Sequence, residues 1–202
     1  MHFQILIFNG FDELDAIAPY EVLQHAVRAE GGHTVELVTV EAAVEIIAGH
    51  GLRIRPSGLL DLEKKPDLLI VPGGGWIDRS SSGAFSEAQR GVIPKAIKSL
   101  YEAGTICASV CTGAMLLAEA GILKKRPATT HHGAIKDLEA SGANVVHARV
   151  VDDGNVITAG GVTSGLDLAL WLVERFYSPQ LAHKIETEME YERRGTVWKN
   201  AS

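Results

Sequence analysis

A cysteine placed between a buried strand and a helix constrains this chain more than any other feature. Residues 105–110 are apolar or small, as in a buried parallel strand. The segment that starts at Gly113 contains strong helix formers and closes at Gly121. Cys111 therefore lies at a forced strand-to-helix turn, the cysteine counterpart of the G-x-S-x-G nucleophile elbow. Such a turn projects the side chain above the sheet, and the helix N-terminus behind it favours a thiolate, so the pattern predicts a nucleophile.

The second cysteine, Cys107, lies four residues before Cys111. Two cysteines in 202 residues do not form a disulfide framework. A metal pair or redox couple is disfavoured, because neither a CxxC motif nor a second ligand pair is present. We therefore expect no metal and no cofactor. The alternative interpretation of Cys111 also stays open, since a free cysteine is often a small buried hydrophobe.

Length and composition favour one domain over residues 1–202. A content of 46% hydrophobic and 22% charged residues is typical of a soluble globular protein. With a net charge of −6 the chain lacks the excess of positive charge that binds a phosphate backbone, so no nucleic-acid partner is expected. No apolar run reaches the roughly 18 residues of a membrane span, and the N-terminus resembles a core strand rather than a signal peptide. Together with the low cysteine content, this predicts a cytoplasmic protein without membrane partners.

Apolar runs alternate with helical patterns along the whole chain. Strands are predicted at residues 3–8, 34–40, 67–71, 105–110, 128–131, 145–151 and 155–159, with a hairpin over 45–55. Helices are predicted at 14–29, 87–103 (with a break suggested by Pro94), 113–120, 134–140, 165–177 and 179–192. This alternation indicates an α/β fold with a mostly parallel sheet covered on both faces.

Chemically suggestive residues fall at the predicted carboxyl ends of the strands, where ligands bind in sheets of this kind. They are Asn9-Gly10, Gly73 to Gly75, Cys111 and Gly160-Gly161. We expect them to converge on one crevice.

Several segments resemble the ThiJ/PfpI superfamily, which has the flavodoxin-like fold of class I glutamine amidotransferases. They are residues 12–23, 71–74, 109–113 and 128–131. Within the superfamily the pattern is most similar to the isocyanide hydratases. Asp15 in place of the more usual Glu, Thr112 directly after the cysteine, and the stretch 150–170 all fit that subgroup. Two positions depart from its pattern: Ala18 replaces a common Gly, and His132 replaces an aromatic residue.

The resemblance implies an enzyme that adds water to an isocyanide and releases an N-formamide. Cys111 would attack the terminal carbon to give a thioimidate, and Asp15 would handle the proton. A neighbouring thiolate would raise the pKa of the Asp15 carboxyl. Thr112 would offer its hydroxyl and backbone N–H, and Gly74 a second backbone N–H, to the reacting atoms. Alternatively, Asp15 only stabilises the helix dipole, for which Asp12 is better placed, and Thr112 only starts a helix.

The resemblance also implies a pocket and a quaternary state. His131, Gly75, Gly161 and Val162 would line a pocket for a small-molecule substrate, although His131 is equally interpretable as a satisfied histidine at a strand end. The superfamily generally forms homodimers. The apolar residues Val22, Leu23 and Val27 of the first helix hint at the same state.

Two other functions compete with the hydratase. One is different cysteine chemistry in the same pocket, of the glyoxalase or amidase type. Asp15 rather than Glu, and Thr112 rather than His, count against it. The other is a non-catalytic redox or ligand sensor, related to the ligand-binding half of certain transcription regulators.

Overall fold

The structure, a computed structural model, describes residues 1–200, in which strands and helices alternate. The strands are β1 (His2–Leu6), β2 (Thr34–Thr39), β3 (Ile46–Ile47), β4 (Arg53–Ile54), β5 (Gly58–Leu59), β6 (Leu68–Val71), β7 (Ile106–Ser109), β8 (Pro127–Ala128), β9 (Asn144–Val145), β10 (Val150–Asp152), β11 (Val156–Ala159) and β12 (Trp198–Lys199). The helices are α1 (Glu13–Glu30), α2 (Ala84–Arg90), α3 (Val92–Glu102), α4 (Gly113–Glu119), α5 (Ile135–Ala140), α6 (Ser164–Phe176) and α7 (Pro179–Glu188), with a 3-10 turn at His132–Ala134.

A central sheet contains eight of these strands in the order β12-β10-β11-β7-β6-β1-β2-β5. The run from β11 to β5 is parallel, whereas β10 is antiparallel to β11. The strand order reverses between β1 and β6, because the chain proceeds to β2 on one side and to β6 and β7 on the other. Such a reversal opens a crevice at the carboxyl ends of the strands. The predicted α/β fold with a mostly parallel sheet is confirmed.

The central strands are buried on both faces, which explains their almost continuous apolar sequences. All four residues of β6 are fully buried, as are Phe3, Ile5 and Leu6 of β1. One group of helices consists of α1, α6 and α7, and a second consists of α2, α3 and α4. The two groups cover the sheet and leave its carboxyl edge to the connecting loops.

Four predicted elements have clearly different boundaries in the structure. The helix expected over residues 87–103 is interrupted at Gly91, whose φ is 73°, and not at Pro94. Pro94 is the third residue of α3, where a backbone N–H has no partner within the helix in any case. The strands expected at 128–131 and 145–151 shorten, because β8 and β9 form a separate two-stranded sheet ahead of β10. The last helix ends at Glu188 rather than at residue 192.

The apolar residues that suggested a dimer belong to the core of the single chain. Val22 and Leu23 are fully buried on the inner face of α1, and Val27 packs against the same core. Their burial within the chain already explains their apolar character, so the homodimer rests on the family resemblance alone and stays a prediction. Within residues 1–200, no helix is both long and apolar enough to cross a membrane.

Candidate active site

The backbone of Cys111 is held in a strained turn between β7 and α4. Its φ is 57°, in the left-handed region, which costs a residue with a side chain about 1–3 kcal/mol. The Cys111 N–H donates to the carbonyls of Ala159 (3.1 Å) and Gly160 (2.9 Å) at the end of β11. The Thr130 hydroxyl donates to the Cys111 carbonyl at 2.9 Å. Neighbouring segments thus fix the turn from both sides, with the geometry that the nucleophile elbow predicts.

Gly113 allows the start of α4 to approach the end of β6. A Cβ atom at this position would lie 2.0 Å from the carbonyl oxygen of Val71, so any side chain here displaces backbone. The absence of a Cβ therefore lets α4 begin directly against β6. This close packing brings Cys111 and Thr112 to the glycine-rich loop that follows β6.

The Cys111 sulfur is enclosed, with 6% of the residue exposed. The backbone N–H groups of Val162 and Thr112 donate to it and lower its pKa, but burial and the nearby Asp15 raise the pKa to about 12. Desolvation is the largest of these effects, because it disfavours the charged form. The start of the helix acts in the predicted direction, since the Thr112 N–H lowers the pKa of Cys111, but burial outweighs this effect in the resting site. At neutral pH Cys111 is a thiol with two N–H donors already aimed at its sulfur.

Asp15 is the buried acid beside this thiol. It lies in the first turn of α1 and is fully buried. The Gly73 N–H donates to its Oδ2 at 3.0 Å, whereas its Oδ1 has no hydrogen-bond partner among the described residues. Burial, assisted by the charge of Asp12, raises the pKa of Asp15 well above its ordinary value. The Cys111 thiol lies next to the carboxyl and partly offsets this shift.

Asp12 performs the structural role that the sequence assigned to it. Its side chain accepts a hydrogen bond from the Leu14 N–H at 3.2 Å and caps the N-terminus of α1. Asp12 therefore satisfies an N–H group that the helix leaves unpaired, while Asp15 is directed into the protein.

Thr112 and Gly74 are joined by a hydrogen bond. The Gly74 N–H donates to Thr112 Oγ1 at 3.0 Å, so this N–H is not free for a reacting atom. The prediction of Gly74 as an oxyanion donor is wrong in this arrangement, and the preceding residue, Gly73, is the one that reaches the site through Asp15. Thr112 retains its hydroxyl proton for donation, and its own N–H points at the Cys111 sulfur. The glycine run predicted that the backbone after β6 approaches the site closely. It did not predict which of its N–H groups binds Asp15.

The predicted pocket residues divide between two grooves. His131, Gly161 and Val162 line one groove of about 760 Å³. Gly75 lines a separate groove of about 680 Å³, with Gly74 and Asp12. One wall residue of the first groove, Val162, donates to the sulfur of Cys111. Val162 itself has a φ of 40°, an unusual value for a β-branched residue.

His131 is a partly buried residue in the wall of the first groove. Its Nδ1 accepts a hydrogen bond from the Gly133 N–H at 3.1 Å and caps the 3-10 turn. Its ring packs on that of His132, with 4.1 Å between the centroids. Burial, followed by the effect of His132, lowers the pKa of His131. His131 thus combines the two alternatives, as a satisfied histidine after a strand and as part of the groove.

Cys107 differs from Cys111 in its surroundings. It is fully buried in β7, its Sγ contacts the Thr105 carbonyl at 3.8 Å, and burial raises its pKa to about 12. Both cysteines are free thiols. Among residues 1–200, no group of three or more His, Cys, Asp or Glu side chains is arranged to hold a metal ion. Cys107 is consequently a buried packing residue, which the sequence left open.

Comparisons with known proteins identify relatives of the whole fold. The model of the DJ-1/PfpI family matches residues 1–175. The chain is 32% identical over 186 residues to an isonitrile hydratase from Pseudomonas putida, which covers 92% of this chain and 76% of that protein. It is 29% identical over 173 residues to a deglycase from Pyrococcus horikoshii, which covers 84% of this chain and 93% of that protein. The crystal structure of a ThiJ/PfpI family protein from Pseudomonas syringae superposes with a TM-score of 0.83 at 26% identity, covering 96% of this chain and 76% of that one.

Proposed function

Since the chain belongs to the DJ-1/PfpI family, we propose that it is an enzyme and that its Cys111 site adds water to isocyanides. The observation that carries the proposal is the buried pair formed by the Cys111 thiol and the Asp15 carboxyl, both of which have raised pKa values. The similarity to an isonitrile hydratase supports the same reaction.

An isocyanide, R–N≡C, is a neutral molecule whose terminal carbon accepts both a proton and a nucleophile. Because burial raises the pKa of both Asp15 and Cys111, the site favours the neutral acid and the neutral thiol, which together supply the proton and the nucleophile. In the first step the sulfur bonds to the terminal carbon, and the carbon gains the proton that the thiol loses, relayed by Asp15. The product of this step is a thioimidate, R–N=CH–S–Cys111.

In the second step, water adds to the thioimidate carbon. Asp15 gives its proton to the nitrogen and takes one from the attacking water, which produces R–NH–CH(OH)–S–Cys111. The C–S bond then breaks, the hydroxyl proton passes to the sulfur, and R–NH–CHO leaves. The sum is one isocyanide plus one water to one N-formamide, and no electrons are exchanged.

The N–H groups of Thr112 and Val162 act on the charge that appears at sulfur during these steps. They already donate to the sulfur in the resting thiol, so they need no rearrangement when the proton leaves. Preorganised donors of this kind stabilise a transient anion in a site that excludes water. The thiolate is therefore a short-lived species stabilised during turnover rather than the resting state.

The decisive experiment follows formamide production from an aromatic isocyanide by ultraviolet absorbance. Wild type should turn over, and Cys111→Ala and Asp15→Ala should both be inactive. Cys107→Ala is the matched control, because Cys107 is the other free cysteine and is buried within β7, and this variant should retain activity. Turnover that survives in Cys111→Ala, or a folded wild type that hydrates no isocyanide, would refute the proposal.

The relationship to a deglycase supplies a second candidate, namely cysteine chemistry on glyoxals in the same pocket. The two candidates separate when methylglyoxal is offered beside the isocyanide at equal concentration. Consumption of methylglyoxal alone, lost in Cys111→Ala, would replace the hydratase with this chemistry and leave the nucleophile unchanged.

A further inference from the structure

The groove that contains His131 is joined to Cys111 by several direct hydrogen bonds. Of its lining residues, Val162 donates to the sulfur, Thr130 donates to the Cys111 carbonyl, and Gly160 accepts from the Cys111 N–H. A molecule that occupies this groove therefore lies against the residues that hold the cysteine. At about 760 Å³ it is large enough for a substrate with an aromatic or similar side group.

The ionisable side chains that line this groove are all basic. They are His131, His132, Lys136, His147 and Arg149, and among the described residues no Asp or Glu lines the groove. We call it the basic groove. The chain as a whole has a net charge of −6, so the basic lining opposes the overall charge. The neighbouring groove, by contrast, is lined by the acidic residues Asp12 and Asp78. The two grooves therefore differ in the charge of their lining.

Lys136 is the cation that is available in the basic groove. Arg149 is already paired, since its Nε donates to Asp167 at 2.7 Å and its Nη2 to Thr163 at 3.1 Å. The carboxylate adjacent to Lys136 in sequence, Asp137, pairs instead with Arg79 at 2.8 Å. Lys136 is exposed, lines the groove and forms no ion pair with a carboxylate among residues 1–200.

The imidazole wall beside Lys136 is fixed in place. A Cβ atom on Gly161 would lie 2.6 Å from His131 Cδ2, so the absence of a side chain there lets the His131 ring lie directly over the backbone. The His131 ring in turn packs on that of His132. Imidazole N–H groups and an ammonium are donors that recognise anionic oxygens.

We propose that the substrate of this site carries a carboxylate, which Lys136 binds in the basic groove while the reactive carbon meets Cys111. The inference rests on the proposed hydratase function and narrows its substrate class to isocyanides with an anionic substituent. Lys136 is a specificity residue in this proposal and takes no part in proton transfer.

The test compares 4-isocyanobenzoate with its methyl ester, which has the same ring without the charge. Lys136→Gln should lower kcat/KM for the carboxylate about fivefold, the effect of one exposed ion pair, and leave the ester unchanged. Lys95→Gln is the matched control, because Lys95 is an exposed lysine on α3 outside the groove, and it should change neither substrate. Added salt should reduce the advantage of the carboxylate in wild type. Equal effects of Lys136→Gln on both substrates would overturn the proposal.

A binding measurement separates this proposal from the reaction itself. Titration calorimetry with 4-formamidobenzoate, the expected product, should show binding to wild type that weakens in Lys136→Gln. Binding that depends on Lys136 without any isocyanide turnover would refute the hydratase and support the anion-binding groove. Turnover of both isocyanides with no dependence on Lys136 would refute the groove proposal alone.

Discussion

The stability of the Asp15→Asn variant, measured relative to wild type, should increase as the pH rises. The pKa of Asp15 is raised in the folded protein because the carboxyl is fully buried. In the unfolded chain it titrates near its ordinary value of 3.8. Between these two pKa values the folded protein holds one proton that the unfolded chain has lost. The free energy of unfolding therefore falls as the pH rises through this window, and it levels off above the folded pKa.

The size of this change in stability follows from the linkage between proton binding by Asp15 and unfolding. Each pH unit above 3.8 over which Asp15 keeps its proton lowers the free energy of unfolding by about 1.4 kcal/mol. Asn does not titrate, so the free energy of unfolding of the variant, relative to wild type, should rise by the same amount for each pH unit. Near pH 4 the variant should be the less stable protein. The Asn oxygen can still accept from the Gly73 N–H, but its amide nitrogen takes the position of the unpartnered Oδ1, at a cost of about 1–3 kcal/mol.

Urea denaturation at pH 4, 5, 6 and 7 measures this difference directly. Asp78→Asn is the matched control for loss of one negative charge, because Asp78 is exposed on a loop. The Cys111 thiol, with a pKa of about 12, stays protonated throughout this range and does not contribute. A difference between Asp15→Asn and wild type that is constant from pH 4 to 7 would show that folded Asp15 ionises normally. Asp15 could not then supply the proton in the proposed mechanism.

Three further predictions follow from the same site and fold. Alkylation of Cys111 by iodoacetamide should be slow at pH 7 and accelerate towards its pKa of about 12, and mass spectrometry that finds rapid labelling at pH 7 would contradict the buried thiol. Gly113→Ala should destabilise the protein by about 1–3 kcal/mol or more, because its Cβ would overlap the Val71 carbonyl, and an unchanged melting temperature would contradict this packing. Sedimentation equilibrium should give twice the mass of one chain if the protein shares the homodimeric state predicted by the family resemblance.

Local sequence chemistry was sufficient to predict the parts of the site that lie at strand ends. The change from apolar residues to helix formers around Cys111 predicts a sharp turn, and the structure has a φ of 57° there. The glycine runs after β6 and β11 predict close approaches, and both loops contact the cysteine turn or the acid. These predictions succeed because the turn geometry depends on residues that are adjacent in sequence.

The parts that could not be predicted depend on contacts between distant segments. The choice of Gly73 rather than Gly74 as the donor to Asp15 is set by how the loop after β6 meets α1. The protonation of Cys111 depends on enclosure by residues far along the chain, whereas the residues next to it in sequence indicate only the effect of the helix N-terminus. The apolar pattern of Val22 and Leu23 does not distinguish an intramolecular core from a dimer interface.

The unusual features of Asp15 and Cys111 are more readily explained by function than by stability. A fully buried carboxyl with one unpartnered oxygen destabilises a fold, and a left-handed cysteine adds strain. The buried carboxyl and the strained backbone belong to neighbouring residues of one site. In this site two backbone N–H groups also donate to a sulfur that is uncharged at rest. Donors placed before the charge exists are of little use to a structural thiol, but they serve a sulfur that becomes an anion in each turnover. A neutral acid and a neutral thiol, kept apart from water, match a neutral electrophile that must gain a proton and a nucleophile on the same carbon.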